Sequence, residues 1–165
     1  MPIRYDVNFI NPFLDAVLNV LGTMASVEAT PGKPFINKTR TATGDVTGLI
    51  GVTGYASGSI SLSLSQGAIL TIVNNMLSES YTEINDDIAD AVGELTNMIA
   101  GQARGDLSKQ GMIFKASTPS VVVGKGHKVK HISPAPVLAI PFSTPDGALT
   151  VEVCLSQGEP EPENA

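Results

Sequence analysis

Residues Asn85–Lys109 read NDDIADAVGELTNMIAGQARGDLSK. Ile88, Val92, Leu95 and Ile99 are spaced by four, three and four, which makes one stripe of a 3.6-residue helix. Asp90, Glu94, Asn97 and Gly101 repeat that spacing two residues later. Two residues turn a helix by roughly 200°, so burying the apolar stripe turns the second row outward. Asn85 or Asp86 can accept from the free N–H groups of the first turn, and Asp86 and Asp87 suit its positive end. Gly93 and Gly101 each cost about 1 kcal/mol relative to alanine inside a helix. At Gly101 the missing side chain either admits another helix or strand of the chain or lets a second surface approach the Asn97 amide.

Composition narrows what surrounds this helix. The chain has 165 residues, a length that suits one domain with its own core. It is 42% hydrophobic and 16% charged, which argues against global disorder. The net charge of −6 comes with no basic patch able to neutralise a phosphate backbone, so nucleic acid is not an expected partner. One cysteine, Cys154, allows no intrachain disulfide, and its apolar surroundings suggest a buried small hydrophobe. The N-terminus has a single cation, Arg4, and its apolar residues are interrupted by Asn8, Asn11, Asp15 and Asn19. It reads as neither a signal peptide nor a membrane span, and the expected location is cytoplasmic.

Along the chain, Ile10, Phe13 or Leu14, Val17, Leu21 and Met24 form another amphipathic stripe. Proline is tolerated in a first helical turn, so Pro12 places the start of this helix between Asp6 and Asn11 and its end near Ser26. Thr30-Pro31-Gly32-Lys33-Pro34 is a turn, and 35–43 is an edge strand or a loop. Strands over 45–53 and 55–65 meet at Gly54. In the second, Ile60, Leu62 and Leu64 alternate with Ser59, Ser61, Ser63 and Ser65, which predicts one buried face and one solvated, hydroxyl-bearing face. A short helix follows from Ser65 or Gln66 to Leu77, with Ile69, Ile72 or Val73, and Met76 inward. A linker over 78–84 leads to the central helix, which ends at Gly105 or Gly111.

The remainder reads as strands: 113–117 and 120–123 around Pro119, 137–142, and a final strand in which Leu149, Val151, Val153 and Leu155 alternate with Thr150, Glu152 and Cys154. Thr144-Pro145-Asp146-Gly147 is the turn of the last hairpin. The expected fold is α+β, a single domain over 1–155 whose mostly antiparallel sheet carries long helices. The tail, 156–165, with Glu159-Pro160-Glu161-Pro162-Glu163, is expected to be disordered.

Several chemistries find no support. There is no P-loop, Gly124-Lys125-Gly126 being a loop fragment, and no Gly-x-Ser-x-Gly elbow. The strand serines have no histidine nearby in sequence. His127 and His131 would share a face of a helix, but their neighbours Gly124, Gly126, Val129 and Pro134 favour loop and strand, so no metal site is expected. Lys125, Lys128 and Lys130 make a small solvated basic run. What remains is the outward row. An exposed Asn97 has no useful basicity, yet its amide can hold a water through both donor and acceptor. Phosphoryl transfer depends mainly on such positioning. Glu94, on the same face, can accept from a cation on a partner.

Asp90-x-x-x-Glu94-x-x-Asn97-x-x-x-Gly101 resembles the phosphatase motif of the CheC/CheX family of bacterial chemotaxis. The likeness is closer to the CheX branch, which has one Glu-x-x-Asn site per chain. Its setting agrees: Asn11-Pro12-Phe13-Leu14, the Pro31-Gly32-Lys33-Pro34 turn, and strands before the motif helix, over Tyr5 to Leu155. The resemblance implies a CheC-like fold of two pseudo-equivalent halves. Asp15-Ala16-Val17-Leu18 has Leu18 where an Asn would be needed, so the first half is expected to have no site.

The implied substrate is the aspartyl-phosphate of a CheY-type response regulator in two-component signalling. Asn97 would orient the attacking water and Glu94 would dock the regulator's lysine. Asp90 and Gly101 would shape the contact with the partner. No cofactor is implied on this chain, the Mg²⁺ being the regulator's. A homodimer through sheet edges is also implied, with 113–123 as the candidate edge. The alternative reading is a non-catalytic module that binds a response regulator. An enzyme acting on a small molecule has little support, because acid, base and nucleophile do not converge.

Overall fold

The computed structural model describes residues 3–157. In chain order it comprises α1 (Val7–Ala25), β1 (Thr30–Pro31), β2 (Phe35–Ile36), β3 (Thr41–Gly54), β4 (Ser57–Leu64), α2 (Gln66–Leu77), α3 (Asp86–Ser108), β5 (Phe114–Ala116), β6 (Ser120–Lys130), β7 (Leu138–Thr144) and β8 (Gly147–Ser156). The strands form one antiparallel sheet in the order β1-β7-β8-β4-β3-β5, with β2 also on β7 and β6 also on β3. α3 lies against β3, β4 and β6, α2 against β8, and α1 packs on both of the other helices. This is the α+β architecture expected, although the sheet is larger than the sequence suggested.

Strand register explains the core. Gly48, Leu62, Val151 and Ile140 stand opposite one another across four strands, and Ile50, Ile60, Val153 and Leu138 form the next row. Of these eight, the seven with side chains are buried and belong to one apolar cluster with the helices. Gly48 is the gap in the first row. A Cβ there would collide with Oγ1 of Thr96, so only glycine lets α3 settle this close to β3.

α1 buries Phe13, Val17 and Leu21 as its stripe predicts, but the buried face is wider and ends elsewhere. The buried residues are Phe9, Pro12, Phe13, Ala16, Val17, Val20, Leu21 and Ala25, whereas Ile10 is half-buried and Met24 is 48% exposed. Packing on α2 and α3 extends the buried face to Phe9, Ala16 and Val20 and leaves Met24 out of it. Pro12 is not in the first turn but is the sixth helical residue. It has no N–H to give Asn8 O, and Gln110 Nε2 donates to that carbonyl instead, at 2.8 Å. A tertiary hydrogen bond thus replaces the one that proline removes.

The serine face of β4 is a second correction. Ser61 and Ser63 are 0% and 3% exposed, because segments 35–41 and 131–137 fold over this side of the sheet. Histidines do reach the serines: His131 Nδ1 lies 3.0 Å from Ser59 Oγ, while His127 Nε2 meets Thr47 Oγ1, which in turn meets Ser63 Oγ. His131 Nε2 pairs with the buried Glu152 Oε1 at 3.0 Å, and Asn37 donates to Glu152 Oε2 at 2.6 Å. Arg40 donates to the carbonyls of Ser133 and Ala135. Cys154 is fully buried beside this network, as expected of it. Gly124-Lys125-Gly126 is not a loop fragment but part of β6, where Gly44 pairs with His127 across a bulge at 44–46. Ser156, the first residue of the tail expected over 156–165, instead closes β8 opposite Ser57, and 158–165 lie outside the described residues.

Asp45, at the bulge, accepts from Gly126 N–H at 3.0 Å and from Gln66 N–H, the first residue of α2, at 2.8 Å. The Gly126 and Gln66 amides hold its carboxyl below the usual carboxylate value.

Two stability measurements follow from these contacts. Gly48→Ala should lower the urea midpoint, costing about 1–3 kcal/mol by overpacking against Thr96. Asp45→Ala should be less stable than wild type at neutral pH. A depressed folded-state pKa stabilises above the unfolded value, so the gap should close as pH falls through the depressed value of Asp45.

Candidate functional site

The row that the sequence turns outward is carried by α3, and each end of that helix is fixed. Asn85 Oδ1 accepts from Ile88 N–H at 3.0 Å, with Asp86 and Asp87 in the first turn. Tyr81 donates its hydroxyl to Asp87 at 2.8 Å, and this hydrogen bond pushes the phenol pKa up. Asn74 holds the backbone of Tyr81 from α2 through two bonds, 2.8 and 3.0 Å long. At the other end Met112 N–H reaches Leu107 O, so the chain turns at Gly111 while Gly105 stays inside the helix.

Between these ends Ile88, Val92, Leu95, Ile99, Ala103 and Leu107 are buried. Thr96 is buried with them because its hydroxyl bonds Val92 O at 2.7 Å and needs no partner from the sheet. That inward face determines the outward one. Asp90, Glu94 and Asn97 are exposed, and Gly101 is half-buried. No hydrogen bond or ion pair within the described residues engages the side chains of Asp90, Glu94 or Asn97. Glu94 therefore presents a carboxylate, and Asn97 an amide donor and acceptor, free for another molecule. At Gly101 an added Cβ would find only the tip of Arg104, 3.9 Å away. Among the described residues no helix or strand needs the glycine.

The row borders an open groove of about 530 Å³. Asp90, Glu94 and Asn97 form one wall, and Thr118, Pro119 and Val121 form the other. Gly93 sits at the seam, where a Cβ would make ordinary contact with Val121. The second wall was not anticipated. Pro119 signalled a break between strands, but nothing local in the sequence says that the break faces α3.

The remaining candidates lie elsewhere. His127 and His131 are each held by their own partners on the other side of the sheet. Lys125, Lys128 and Lys130 are exposed on β6. Among the described residues no group of three or more His, Cys, Asp or Glu could hold a metal ion. No helix of the described residues is long and apolar enough to cross a membrane.

Comparison with known proteins converges on one family. The family model described as chemotaxis phosphatase CheX matches residues 46–143, a span that contains the whole row. The chain is 28% identical over 139 residues to the CheY-P phosphatase CheX of Thermotoga maritima, covering 84% of this chain and 88% of that protein. The solved structure of the chemotaxis protein CheX from Vibrio vulnificus is 43% identical, with a TM-score of 0.86 over 91% of this chain and 100% of that one. CheX from Borrelia burgdorferi, solved as a CheX–CheY–BeF3–Mg²⁺ complex, is 28% identical with a TM-score of 0.77 over 93% of this chain and 100% of that one. With a fold, a groove-lining Glu-x-x-Asn row and a family match that agree, the chain belongs to the CheX family of chemotaxis phosphatases.

Proposed function

We propose that this protein hydrolyses the aspartyl-phosphate of a CheY-type response regulator, acting from the exposed row of α3. The observation that carries the reading is the free, outward pair Glu94 and Asn97, one turn apart beside an open groove. The T. maritima relative named as a CheY-P phosphatase and the CheX–CheY complex of B. burgdorferi support it.

In this reading Asn97 enters the regulator's phosphorylation site. Its carbonyl accepts a hydrogen bond from a water and its amide donates one to the water oxygen, which fixes the oxygen in line with the phosphorus. The new P–O bond forms as the acyl–phosphate P–O bond breaks, giving inorganic phosphate and a free aspartate carboxylate. The gain is positional, since little covalent chemistry is asked of the catalyst in phosphoryl transfer. Glu94 accepts from the regulator's lysine and sets the register of the two proteins. Mg²⁺ is held by the regulator and offsets charge on the phosphoryl oxygens. Asp90 shapes the groove wall, and Gly101 leaves room for the partner's surface. Residues 1–155 act as one unit, in the cytoplasm where such regulators work.

A homodimer through the sheet edge completes the proposal. β5 and β6 pair only with β3, leaving their outer edge open, and Val122 and Val123 are 38% and 50% exposed there.

Purified protein should accelerate decay of the phosphorylated regulator. Asn97→Ala should cut that acceleration by on the order of a hundredfold with an unchanged circular dichroism spectrum. Glu94→Ala should chiefly raise the regulator concentration needed. Equal decay with wild type and Asn97→Ala would refute the assignment, and binding without acceleration would make the protein a docking module. Light scattering should give a dimer mass for wild type and a monomer mass for Val123→Pro, which cannot donate at the edge.

A further inference from the structure

The outward row does not stop at Gly101. The same four-three alternation continues to Arg104, so the row runs carboxylate, carboxylate, amide, glycine, guanidinium. Arg104 is the one cation among the helical residues Asp86–Ser108, which include five acids. None of those acids is placed to pair with it along the helix. Its neighbours three and four residues away are Ala100, Gly101, Leu107 and Ser108, and Asp106 is taken by Lys109 at 3.6 Å. No ion pair or side-chain hydrogen bond within the described residues satisfies the guanidinium, and its Nε is buried without a partner.

Helical side chains lean toward the N-terminus. Arg104 does so across Gly101, its Nη2 lying 3.9 Å from where a Cβ of that residue would stand. The glycine leaves the guanidinium a path back along the row toward Asn97. The head is then held about one helical turn, ~6 Å, from the level of the amide. It is too far along the helix to share the atom that the amide serves, and it suits the rim of the same contact.

We propose that Arg104 is a docking cation for the phosphorylated regulator, pairing with a carboxylate at the rim of its phosphorylation site. This rests on the reading of the row as a regulator-binding surface. It gives the contact two opposite charges in a fixed order: Glu94 takes a cation of the partner and Arg104 takes an anion. Two such pairs on either side of the amide fix which way round the partner sits, because reversing it sets like charges against each other. The buried Nε means that the stem is already immobilised, so less side-chain freedom is lost on docking.

The test measures binding separately from turnover. The probe is a CheY-type regulator loaded with BeF3 and Mg²⁺, titrated with wild type, Arg104→Met and Arg104→Lys at low and high salt. Methionine keeps the apolar stem and removes the charge. Wild-type affinity should fall with salt. Arg104→Met should bind roughly tenfold more weakly at low salt with a flattened salt dependence, and Arg104→Lys should recover part of the loss. In the decay assay Arg104→Met should raise KM and leave kcat within about twofold, since a docking contact lies outside the reacting atoms. Unchanged affinity and salt slope in Arg104→Met would overturn the proposal, as would a loss confined to kcat. Absence of turnover by wild type with charge-dependent binding intact would instead strike the phosphatase reading and leave the docking cation standing.

Discussion

The close approach of α3 to β3 at Gly48 is the constraint on which the site depends. Thr96 is pressed against the one position in the strand row that has no side chain. Its hydroxyl can be there because it is satisfied by its own helix, through Val92 O. Once Thr96 and its buried neighbours Leu95 and Ile99 are fixed, the rotation of the helix is fixed too. Asn97 follows Thr96 directly, and Glu94 precedes Leu95. The outward direction of both is thus a consequence of how the inward residues fit the sheet. A small rotation of α3 would not merely weaken the core. It would also shift the row relative to Pro119 and change the groove that the two line together.

The two sides of the sheet use polar groups in opposite ways. On the side away from the helices, polar side chains are consumed internally. His131, Glu152, Asn37 and Ser59 bond one another, and Arg40 ties down the carbonyls of Ser133 and Ala135. Such groups are expensive to bury unless paired, and here almost all of them are. On the outward row of α3 the side chains of Asp90, Glu94 and Asn97 are left unpaired, which is inexpensive in solvent. An unpaired carboxylate and amide contribute nothing to stability. Their cost appears instead as the glycines at 93 and 101, which weaken the helix without serving its own packing.

The helix and its two faces were legible in the sequence because amphipathic period and caps are local signals. Asn85, Ile88, Val92, Leu95 and Ile99 all hold the places that spacing assigned them. What was not legible depended on partners distant in sequence. In α1 only contact with the other helices distinguishes Val20 from Met24. Alternation in β4 separated serines from leucines correctly but could not reveal that 35–41 and 131–137 cover the serines. Pro12 was read by a local rule, and Gln110, nearly a hundred residues on, overrides it. The wall at Thr118 and Pro119 belongs to the same class. A motif on one helix announces the chemistry, whereas the shape of the groove beside it is a product of topology.

The first helix shows how narrow the margin is between a site and a surface. Asp15, Leu18 and Gly22 on α1 have the same spacing as Glu94, Asn97 and Gly101 on α3. Gly22, like Gly101, is not required by anything packed against it. A groove of about 470 Å³ lies beside Leu18 and Gly22. The two helices are bonded to each other where Asn19 Nδ2 meets Gln102 Oε1 at 2.8 Å. The backbone, the carboxylate and the gap are thus present twice. Leucine differs from asparagine here in having neither donor nor acceptor, so it can cover a surface but cannot orient a water. If water positioning is the whole of the chemistry, as proposed for Asn97, that one side chain is enough to keep the first helix from sharing it.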